Sequence, residues 1–422
     1  MKILHVIAQL PHGTGSGVYF RNCVHEFGAL GYEQAALFAV QDGFEFDVAV
    51  PTVQYPVCFK SEKLPFPIAG MSDVMPYEST IYSSMSEEML DLWLAAFQEQ
   101  LERAREEFAP DVVFLHHLWV LTSRAIEVFP EAYKVAFCHN TDLRQARQHP
   151  QMAQRHLGNF DELDLVFSLS KEQVDDISKV FGIDSQKIVP MGGAVDQRVF
   201  FPARCKQEKA DASDRCVRIV YAGKIERSKG IFELIPAFKR ALVHEPNLYL
   251  SIVGTPNEEN KEQLDELIAG CERIESMPKK SQRELADFLR TQDIFVMPSF
   301  YEGVALMAVE SLACGLRVVA SEIEALMALL GPRVNTSGVI EYVALPGLYD
   351  TDKPVEEDIP AFIERLSDAL LVQARRVKAG EEIPVAIQKE IEAHTWAKLV
   401  ARINDVVRTR GLEPPRGLPT RT

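Results

Sequence analysis

Residues 3–31 read ILHVIAQLPHGTGSGVYFRNCVHEFGALG, and this segment decides the fold class. An apolar run from Ile3 to Ile7 is followed by three closely spaced glycines at positions 13, 15 and 17. Helical spacing of apolar residues then continues from Val18 to Leu30, where Gly31 ends the helix. A strand, a glycine loop and a helix in this order predict the first unit of a doubly wound α/β domain built on a parallel sheet.

The same alternation of short apolar strands and helices continues along the chain in two series. The first has further strands predicted at residues 34–40, 111–115, 133–137 and 165–169. The second begins after Gly192-Gly193 and a charged stretch at 203–215, with strands predicted at 217–222, 248–253, 294–297 and 318–320. We therefore predict two Rossmann-like domains, residues 1–192 and 193–394, that face a central cleft holding a ligand.

Composition and charge exclude several classes of protein. Apolar residues make up 47% of the chain and charged residues 25%, as in ordinary globular proteins. The formal net charge is -16, which disfavours nucleic acid as a partner. Residues 1–200 hold 15 Lys and Arg against 27 Asp and Glu, so an anionic ligand should prefer the second half.

Cysteine usage and apolar runs indicate the compartment. The seven cysteines are scattered and form no CxxC pair, which favours reduced thiols over disulfides or a zinc site. The N-terminus lacks the features of a signal peptide, and no run approaches the roughly 20 apolar residues of a membrane span. The sequence therefore predicts a soluble, cytoplasmic protein with no strong membrane signal.

The segment 298–321, PSFYEGVALMAVESLACGLRVVAS, combines two carboxylates with a predicted helix N-terminus. Glu302 follows a strand, and Glu310 stands eight residues later in a helix whose first turn we place at Gly303 to Leu306. Free N–H groups there favour a phosphate, and carboxylates accept hydrogen bonds from sugar hydroxyls. Acidic residues are also common in the first turn of helices, so this segment taken alone is open to a purely structural explanation.

A second segment, YAGKIERSKG at 221–230, places two cations in a glycine loop after a strand. Lys224 and Lys229 are five residues apart, and a loop that folds back would let both ammonium groups neutralise a diphosphate leaving group. An exposed loop with two solvated lysines is the alternative explanation for the same pattern.

In order and context these segments resemble the GT-B fold of glycosyltransferase family 4, a large group of retaining, nucleotide-sugar-dependent enzymes. The resemblance covers nearly the whole chain and is most specific in the E-x7-E segment. It implies that Glu310 binds the ribose and that Glu302 faces the transferred sugar. It also implies that the loop at Gly223, with Lys224 and Lys229, meets the diphosphate. The phosphates would be received at Gly303, Val304, Ala305 and Leu306, and the base near Ile274.

The resemblance extends to the first half and to the C-terminus. His139 follows a strand and matches the family's histidine beside the donor sugar, while His116 matches another strand-end position. Ordinary polar residues at strand ends are the alternative explanation for both histidines. The loop at Gly17 departs from the G-x-G-x-x-G spacing, but in the family such a loop lets the backbone approach the donor. A helix at about 395–412 would pack back on the first domain, followed by a tail at 413–422.

Departures from the family pattern concern single positions. Lys224 stands where family members usually have arginine, Gly192 replaces the usual asparagine, and residues 322–325 replace a glycine-rich loop. A lysine keeps the charge but loses the bidentate fork. The D-x-D string at Asp350 and Asp352 lies in a Pro/Gly-rich stretch, and we interpret it as a solvated turn and expect no metal.

The proline-rich interruption at residues 41–85 is the candidate acceptor region. Within it, residues 64–77 offer apolar faces at Phe66, Met71 and Met75 beside hydroxyl-binding groups. We expect Asp73 and Tyr77 to bind the acceptor and the segment to roof a pocket beside His139. A surface excursion packed on the sheet edge remains the alternative.

The sequence as a whole predicts a retaining glycosyltransferase that moves a hexose to an acceptor hydroxyl without a cofactor or metal. The donor would be a UDP-, GDP- or ADP-sugar, and the acceptor a small hydroxylated or glycosidic molecule. The sequence leaves a homo-oligomer open. A GT-B epimerase and a non-catalytic two-domain sugar- or nucleotide-binding protein are the alternatives that the sequence leaves open.

Overall fold

The computed structural model describes residues 1–73, 75–203, 216–350 and 352–411, and these form two compact units. The first unit contains Met1–Gly193 together with the chain from Trp396 onward, and the second contains Ala194–Thr395. Most of the charged stretch at 203–215 and the whole predicted tail at 413–422 lie outside the described residues.

A seven-stranded parallel sheet is the centre of the first unit, in the order β3-β2-β1-β6-β7-β8-β9. Chain order reverses between β1 and β6, so the carboxyl ends of these two strands border the switch point where ligands bind in such sheets. The strands of this unit, including the short β4–β5 pair, are β1 Lys2–Ile7, β2 Glu33–Val40, β3 Val53–Cys58, β4 Ala69–Gly70, β5 Thr80–Ile81, β6 Val112–His116, β7 Tyr133–Phe137, β8 Leu165–Ser168 and β9 Ile188–Pro190.

Seven helices complete the described part of the first unit, and the last of them comes from the C-terminal end of the chain. Its Trp396 ring stands edge-on to Tyr19 of α1 with ring centroids 4.9 Å apart. The helices are α1 Gly15–Ala29, α2 Glu87–Glu107, α3 Val120–Val128, α4 Asn140–Gln148, α5 Pro150–His156, α6 Gln173–Phe181 and α14 Trp396–Gly411.

The second unit repeats the architecture with a six-stranded parallel sheet in the order β12-β11-β10-β13-β14-β15. Here the switch point lies between β10 and β13. The strands, with a final antiparallel pair, are β10 Val217–Ala222, β11 Leu248–Val253, β12 Ile274–Met277, β13 Ile294–Met297, β14 Arg317–Ser321, β15 Ile340–Val343, β16 Leu348–Asp350 and β17 Lys353–Pro354. The helices are α7 Ile231–His244, α8 Glu258–Ile268, α9 Gln282–Leu289, α10 Leu306–Ala313, α11 Glu324–Asn335, α12 Ile359–Lys378 and α13 Val385–Ile391.

Local sequence explains these elements. The central strands β6, β13 and β14 are buried at every position, because helices cover both faces of a parallel sheet, and such strands are nearly continuous apolar runs. Helix α1 begins at Thr14, whose hydroxyl accepts a hydrogen bond from the Gly17 N–H. A reciprocal capping box between Ser281 and Glu284 opens α9.

Two expectations about local structure are wrong. The interruption at 41–85 contains a sheet strand, β3, and its Pro56 is tolerated because β3 is an edge strand. Phe66 and Met71 do not offer apolar faces to a ligand, since they are buried in the core of the first unit. Their buried apolar surface stabilises the first unit.

A third expectation fails at the E-x7-E segment. Helix α10 begins at Leu306, and Gly303 to Ala305 precede it as an irregular loop. Ala305 has a φ of 56°, a left-handed conformation that ends any helical continuation toward Gly303. Among the described helices, none is long and apolar enough to cross a membrane.

Candidate functional site

Two loops at the switch point of the second unit are packed together. One follows β10 and contains Lys224 and Lys229, and the other follows β13 and contains Glu302. The Phe300 N–H donates to the Ser228 carbonyl over 2.9 Å. At Gly230, which has a φ of 64°, a Cβ would lie 2.1 Å from the Pro298 carbonyl oxygen. A glycine is therefore required for the two loops to approach this closely.

This packing brings two of the predicted site residues into contact. Lys229 Nζ lies 3.0 Å from Glu302 Oε1, and both side chains are about four-fifths buried, at 23% and 22% exposure. The Ser299 hydroxyl donates to the same carboxylate oxygen over 2.8 Å. Lys224 is exposed, and its carbonyl accepts a hydrogen bond from Tyr221. An ion pair and the exposed cation of Lys224 thus border the same edge of the sheet.

The loop from Gly303 into α10 presents backbone donors. Among the described residues, the N–H groups of Gly303 through Met307 have no hydrogen-bond acceptor. They stand at the N-terminus of α10, where the helix dipole adds partial positive charge. The left-handed Ala305 turns the chain within this run. Successive free N–H groups at a helix N-terminus form a site for an anion such as a phosphate.

Glu310 lies one helical turn further along α10 and has a different environment. Its carboxylate has no hydrogen-bond or ion-pair partner among the described residues, and the residue is half-buried. Loss of hydration raises the pKa of Glu310 to about 8. A ligand with hydroxyl groups would supply the hydrogen-bond donors that the carboxyl group of Glu310 lacks.

The structure does not support Ile274 as the residue at the base. Ile274 opens β12 and pairs with Leu250, so it lies about 10 Å from the carboxyl end of the strand. Ligands of parallel sheets bind beyond the carboxyl ends. The residue at that end is Met277, whose carbonyl accepts from the Gly254 N–H over 3.0 Å. Gly254 in turn lies against Gly223, because a Cβ there would be 2.3 Å from the Gly223 carbonyl oxygen.

In the first unit, His116 is part of an aromatic cluster. Its ring stacks on Phe137 with centroids 4.6 Å apart and also contacts Tyr19 and Phe20. The side chain is 3% exposed, and burial lowers its pKa well below the ordinary value. His116 therefore packs the sheet against α1, a placement that does not fit direct contact with a donor.

His139 caps the N-terminus of α4 and lies beside a histidine that sequence reasoning did not single out. The His139 and His117 rings have centroids 4.8 Å apart, and both Nε2 atoms lack a partner among the described residues. Burial, with the neighbouring His117, lowers the pKa of His139 to about 3, so this ring is neutral. A neutral imidazole can either donate to or accept from a sugar hydroxyl.

Asp142 joins these histidines and was also missed. Its carboxylate lies 2.6 Å from His117 Nδ1 and accepts from the N–H groups of Leu118 and His139 over 2.8 and 3.0 Å. Burial alone would raise its pKa, but the His117 ring and these hydrogen bonds lower it. His117 has a φ of 86°. The signal in the sequence was the acidic residue three positions after His139, where a helix-capping carboxylate stands.

The glycine loop after β1 is closed by its own side chains. Gln9 donates to the hydroxyls of Thr14 and Ser16 over 3.0 and 2.5 Å. A Cβ at Gly17 would lie 2.7 Å from the His12 nitrogen, so this glycine lets α1 pack on its own loop. The close approach at Gly17 is thus to protein backbone.

The predicted acceptor residues lie next to α4. Gln145 of that helix donates weakly to Asp73 over 3.4 Å and to the Met71 carbonyl over 3.3 Å. Tyr77 is half-buried, and burial raises the pKa of its hydroxyl. Gln145 stands six positions after His139, which corresponds to about 9 Å along the axis of α4. Asp73 is therefore linked to α4 through Gln145, and no hydrogen bond joins it to His117 or His139 among the described residues.

The D-x-D string and the metal expectation concern the end of the second sheet. Asp350 pairs with Lys353 over 2.9 Å in the exposed β16–β17 ladder. Within residues 1–73, 75–203, 216–350 and 352–411, no three potential ligands from His, Cys, Asp and Glu cluster as a metal site. Metal independence stays a prediction.

Comparisons with known proteins agree with this architecture. Residues 206–342 match the model of the family described as glycosyl transferases group 1. A D-inositol 3-phosphate glycosyltransferase of Pseudarthrobacter chlorophenolicus is 27% identical over 333 residues, which cover 73% of this chain and 74% of that protein. One from Mycobacteroides abscessus is 25% identical and covers 61% of this chain and 62% of that protein.

Solved structures show the same fold at low sequence identity. A glycosyltransferase from Rickettsia africae superposes with a TM-score of 0.64 at 14% identity, over 98% of this chain and 99% of that one. The Anabaena protein HepE, solved in complex with UDP and glucose, gives 0.56 at 13% identity, over 97% and 100% of the two chains. The predicted α/β class with two Rossmann-like domains is confirmed.

Proposed function

We propose that the chain is a glycosyltransferase of family 4, the group 1 enzymes of GT-B fold, and that it transfers a hexose from a nucleoside diphosphate sugar to an acceptor hydroxyl with retention of configuration. The observation that carries this proposal is the run of free N–H groups from Gly303 to Met307 beside the Lys229–Glu302 ion pair. A diphosphate is the ligand that requires backbone donors and ammonium groups at one edge of a sheet.

Each donor-binding residue has a role that follows from its surroundings. The N–H groups at the start of α10 receive the phosphates, and Lys224 and Lys229 add positive charge. Glu310 accepts from the ribose hydroxyls, which replace the hydration that burial has removed. Met277, at the carboxyl end of β12, replaces Ile274 as the residue beside the base. The relatives solved with UDP support a uridine nucleotide as the first donor to test.

The chemistry of the transfer follows from the charges. The bond between the sugar and the diphosphate loosens toward an oxocarbenium-like state, and negative charge grows on the leaving group. Lys224, Lys229 and the free N–H groups stabilise that charge. Glu302, held by Lys229 and Ser299, accepts hydrogen bonds from hydroxyl groups of the hexose. The neutral ring of His139 and the unpartnered Nε2 of His117 are available to bind substrate hydroxyls. The acceptor attacks from the side of the leaving group.

The acceptor proposal rests on the first unit. Relatives carry the name D-inositol 3-phosphate glycosyltransferase, and a cyclitol or sugar hydroxyl fits the polar groups at Asp73, Tyr77 and the histidines. Residues 1–200 are strongly acidic, which favours a neutral acceptor over a phosphorylated one. The six cysteines within the described residues are free, which supports a reducing compartment such as the cytoplasm.

Titration calorimetry with UDP, GDP and ADP, compared with free glucose, galactose and mannose, tests the proposal. One nucleotide should bind far more tightly than any free sugar, and its sugar conjugate should release nucleotide slowly without an acceptor. Mass spectrometry with candidate acceptors then identifies the product. A chain that binds free sugars but no nucleotide would contradict the proposed donor site.

A further inference from the structure

A cavity in the first unit lies between the N-terminus of α2 and the junction of α4 with α5. Its volume is about 440 Å³, which is in the range of sites for small molecules. The walls used in the argument are Tyr82, Ser86, Glu87, His149, Met152 and Arg155. None of these residues belongs to the donor site, and no role is assigned to the cavity by the mechanism.

Two polar side chains on the cavity wall lack partners. Tyr82 is 2% exposed, and its hydroxyl has no hydrogen bond among the described residues. Its ring is held edge-on between Trp93 and Trp119, with centroids 6.0 and 6.1 Å away. His149 has a buried Nε2 that is likewise unpartnered. Such groups are unfavourable unless a ligand or an ordered water supplies the missing hydrogen bond.

The charges at the cavity offset each other. Arg155 of α5 forms an ion pair with Glu87, the first residue of α2. The Ser86 hydroxyl accepts from the Met89 N–H over 3.2 Å and caps α2. Met152 and Leu90 add apolar surface. A wall of hydroxyl, imidazole, paired charges and apolar patches fits a neutral ring with many hydroxyl groups better than an anion or a cation.

Helix α4 connects this cavity with the histidines of the candidate site. Asp142 and Gln145 lie three residues apart on one face of α4, and His139 and His149 flank this helix as its two cap residues, three and four residues away from them. His139 Nε2 and Gln145 Oε1 on that face also lack partners among the described residues. The face extends about 15 Å from His139 to His149. Unpaired polar atoms therefore continue from the candidate site to the cavity.

We propose that the cavity is a subsite for the distal ring of an extended glycosidic acceptor, whose reacting hydroxyl lies near His139. Tyr82 and His149 bind hydroxyl groups of that ring, and Met152 packs on its apolar face. The inference rests on the proposed function, because it assumes that the chain has an acceptor. It goes further by naming the acceptor class, an oligosaccharide or glycoside of more than one ring.

The first test is binding of disaccharides to the full chain labelled with ¹⁵N-histidine. Maltose, cellobiose, lactose and sucrose are each added at high concentration while the ring resonances are recorded. The resonances of His149 should shift with at least one disaccharide, and those of the exposed His244 in the second unit should not. The Tyr82→Phe variant keeps the ring and should lose the shift while its melting temperature is unchanged. A silent His149 with all four sugars, or an unchanged shift in Tyr82→Phe, overturns the proposal.

A parallel measurement separates this inference from the proposed function. UDP-dependent calorimetry and donor hydrolysis are recorded on the wild type and on Tyr82→Phe. Normal nucleotide binding with a silent cavity would refute the subsite alone, whereas absence of any nucleotide binding would refute the donor assignment. With a transferring enzyme, Tyr82→Phe should raise the KM of a disaccharide acceptor severalfold and leave the KM of the matching monosaccharide unchanged. Equal effects on both acceptors would also contradict the subsite.

Discussion

Glu302 and Glu310 belong to one short segment, yet their surroundings differ at the level of single atoms. Glu302 is held by Lys229 and Ser299, so its charge is already compensated before a ligand arrives. Glu310 has no partner among the described residues, and burial raises its pKa to about 8. The ordinary value for a glutamate is 4.5. The two carboxylates should therefore respond differently to substitution.

We predict that nucleotide binding depends on the ionisation of Glu310. Ribose hydroxyls need the carboxylate as an acceptor, so binding should release a proton below about pH 8 and the Kd of UDP should fall as pH rises toward that value. Glu310→Gln should weaken binding by about 1–3 kcal/mol near pH 8 and remove this pH dependence. Calorimetry in buffers of different ionisation enthalpy measures both effects. A Gln variant with the wild-type pH profile would refute the assignment.

The raised pKa of Glu310 also determines how the free energy of unfolding changes with pH. The neutral carboxyl is favoured in the folded chain, so its contribution is complete below about pH 4.5 and is lost as pH rises to about 8. Wild type should therefore lose stability relative to Glu310→Gln over this interval. Urea unfolding of the two proteins at both ends of the interval provides the comparison, in which all other titrating groups cancel.

We predict unequal effects for the two lysines. Lys229→Ala removes a cation and also leaves Glu302 uncompensated beside the diphosphate, whereas Lys224→Ala removes only an exposed cation. Both variants should lower kcat more than they weaken donor binding, because charge grows in the transition state. Donor binding should suffer more in Lys229→Ala, and adding Glu302→Gln should recover part of it. Steady-state kinetics and calorimetry on the three variants test the order. No recovery in the double variant would mean that the ion pair is not coupled to the diphosphate.

At the scale of elements, the approach of the β10 loop to the β13 loop depends on one glycine. Gly230 has a φ of 64° and no room for a Cβ, while Gly270, after α8, has a φ of 71° and nothing within 4 Å. Gly270→Ala should cost about 1–2 kcal/mol from its backbone conformation alone. Gly230→Ala should cost more and also weaken nucleotide binding. Urea unfolding and UDP calorimetry compare the pair, and equal effects would show that the loop contact is unimportant.

Another element-scale feature is the position of α10. The sequence predicted that the N–H groups from Gly303 to Leu306 form the first turn of a helix, whereas α10 begins at Leu306. Hydrophobic spacing could not reveal this, since a left-handed alanine such as Ala305 has no signature of its own. The same limit applies to β3. A proline within a short segment indicates irregular chain, and only the strand order of the sheet shows that the segment with Pro56 is an edge strand.

At the scale of the whole molecule, the C-terminal helix α14 belongs to the unit that begins the chain. Trp396 is 5% exposed and contacts Tyr19, and Asn404 accepts from the Tyr32 hydroxyl over 2.7 Å. Trp396→Ala should cost about 3–5 kcal/mol. Val385→Ala, at an exposed position of the preceding α13, should have little effect.

Adding the nucleotide shows which of the two units Trp396→Ala destabilises. UDP should stabilise only the second unit, by about 2.7 kcal/mol at a concentration of 100 times its Kd. Trp396→Ala should therefore lower an unfolding transition that UDP does not raise. Calorimetric scans with and without UDP distinguish the unfolding transition of the first unit from that of the second. Loss of UDP protection in the variant would show that α14 stabilises the second unit instead.

The last prediction concerns the complete enzyme and metals. Transfer should continue in EDTA, because ammonium and N–H groups can neutralise the leaving group without a divalent ion. Nucleotide release is measured with EDTA and with added Mg²⁺ or Mn²⁺. Complete loss of transfer that either ion restores would overturn the metal-free mechanism and return attention to Asp350 and Asp352.

The sequence by itself predicted the fold class, the resemblance to the glycosyltransferases, and the two segments that carry Lys224, Lys229, Glu302 and Glu310. It could do so because strand, loop and helix periodicity is local, and because residues at the carboxyl ends of parallel strands meet at one edge of the sheet. These local patterns can be recognised in one sequence without knowledge of long-range contacts.

Only the tertiary structure decided which polar groups are paired. The link from Asp142 to His117, the burial of His116 and Phe66, and the cavity at Tyr82 join residues far apart in sequence. Pairing and burial arise from packing between elements, and desolvation then sets the pKa of each group. No periodicity in the sequence encodes those distances, so the pairing and burial of these side chains emerged only from the folded chain.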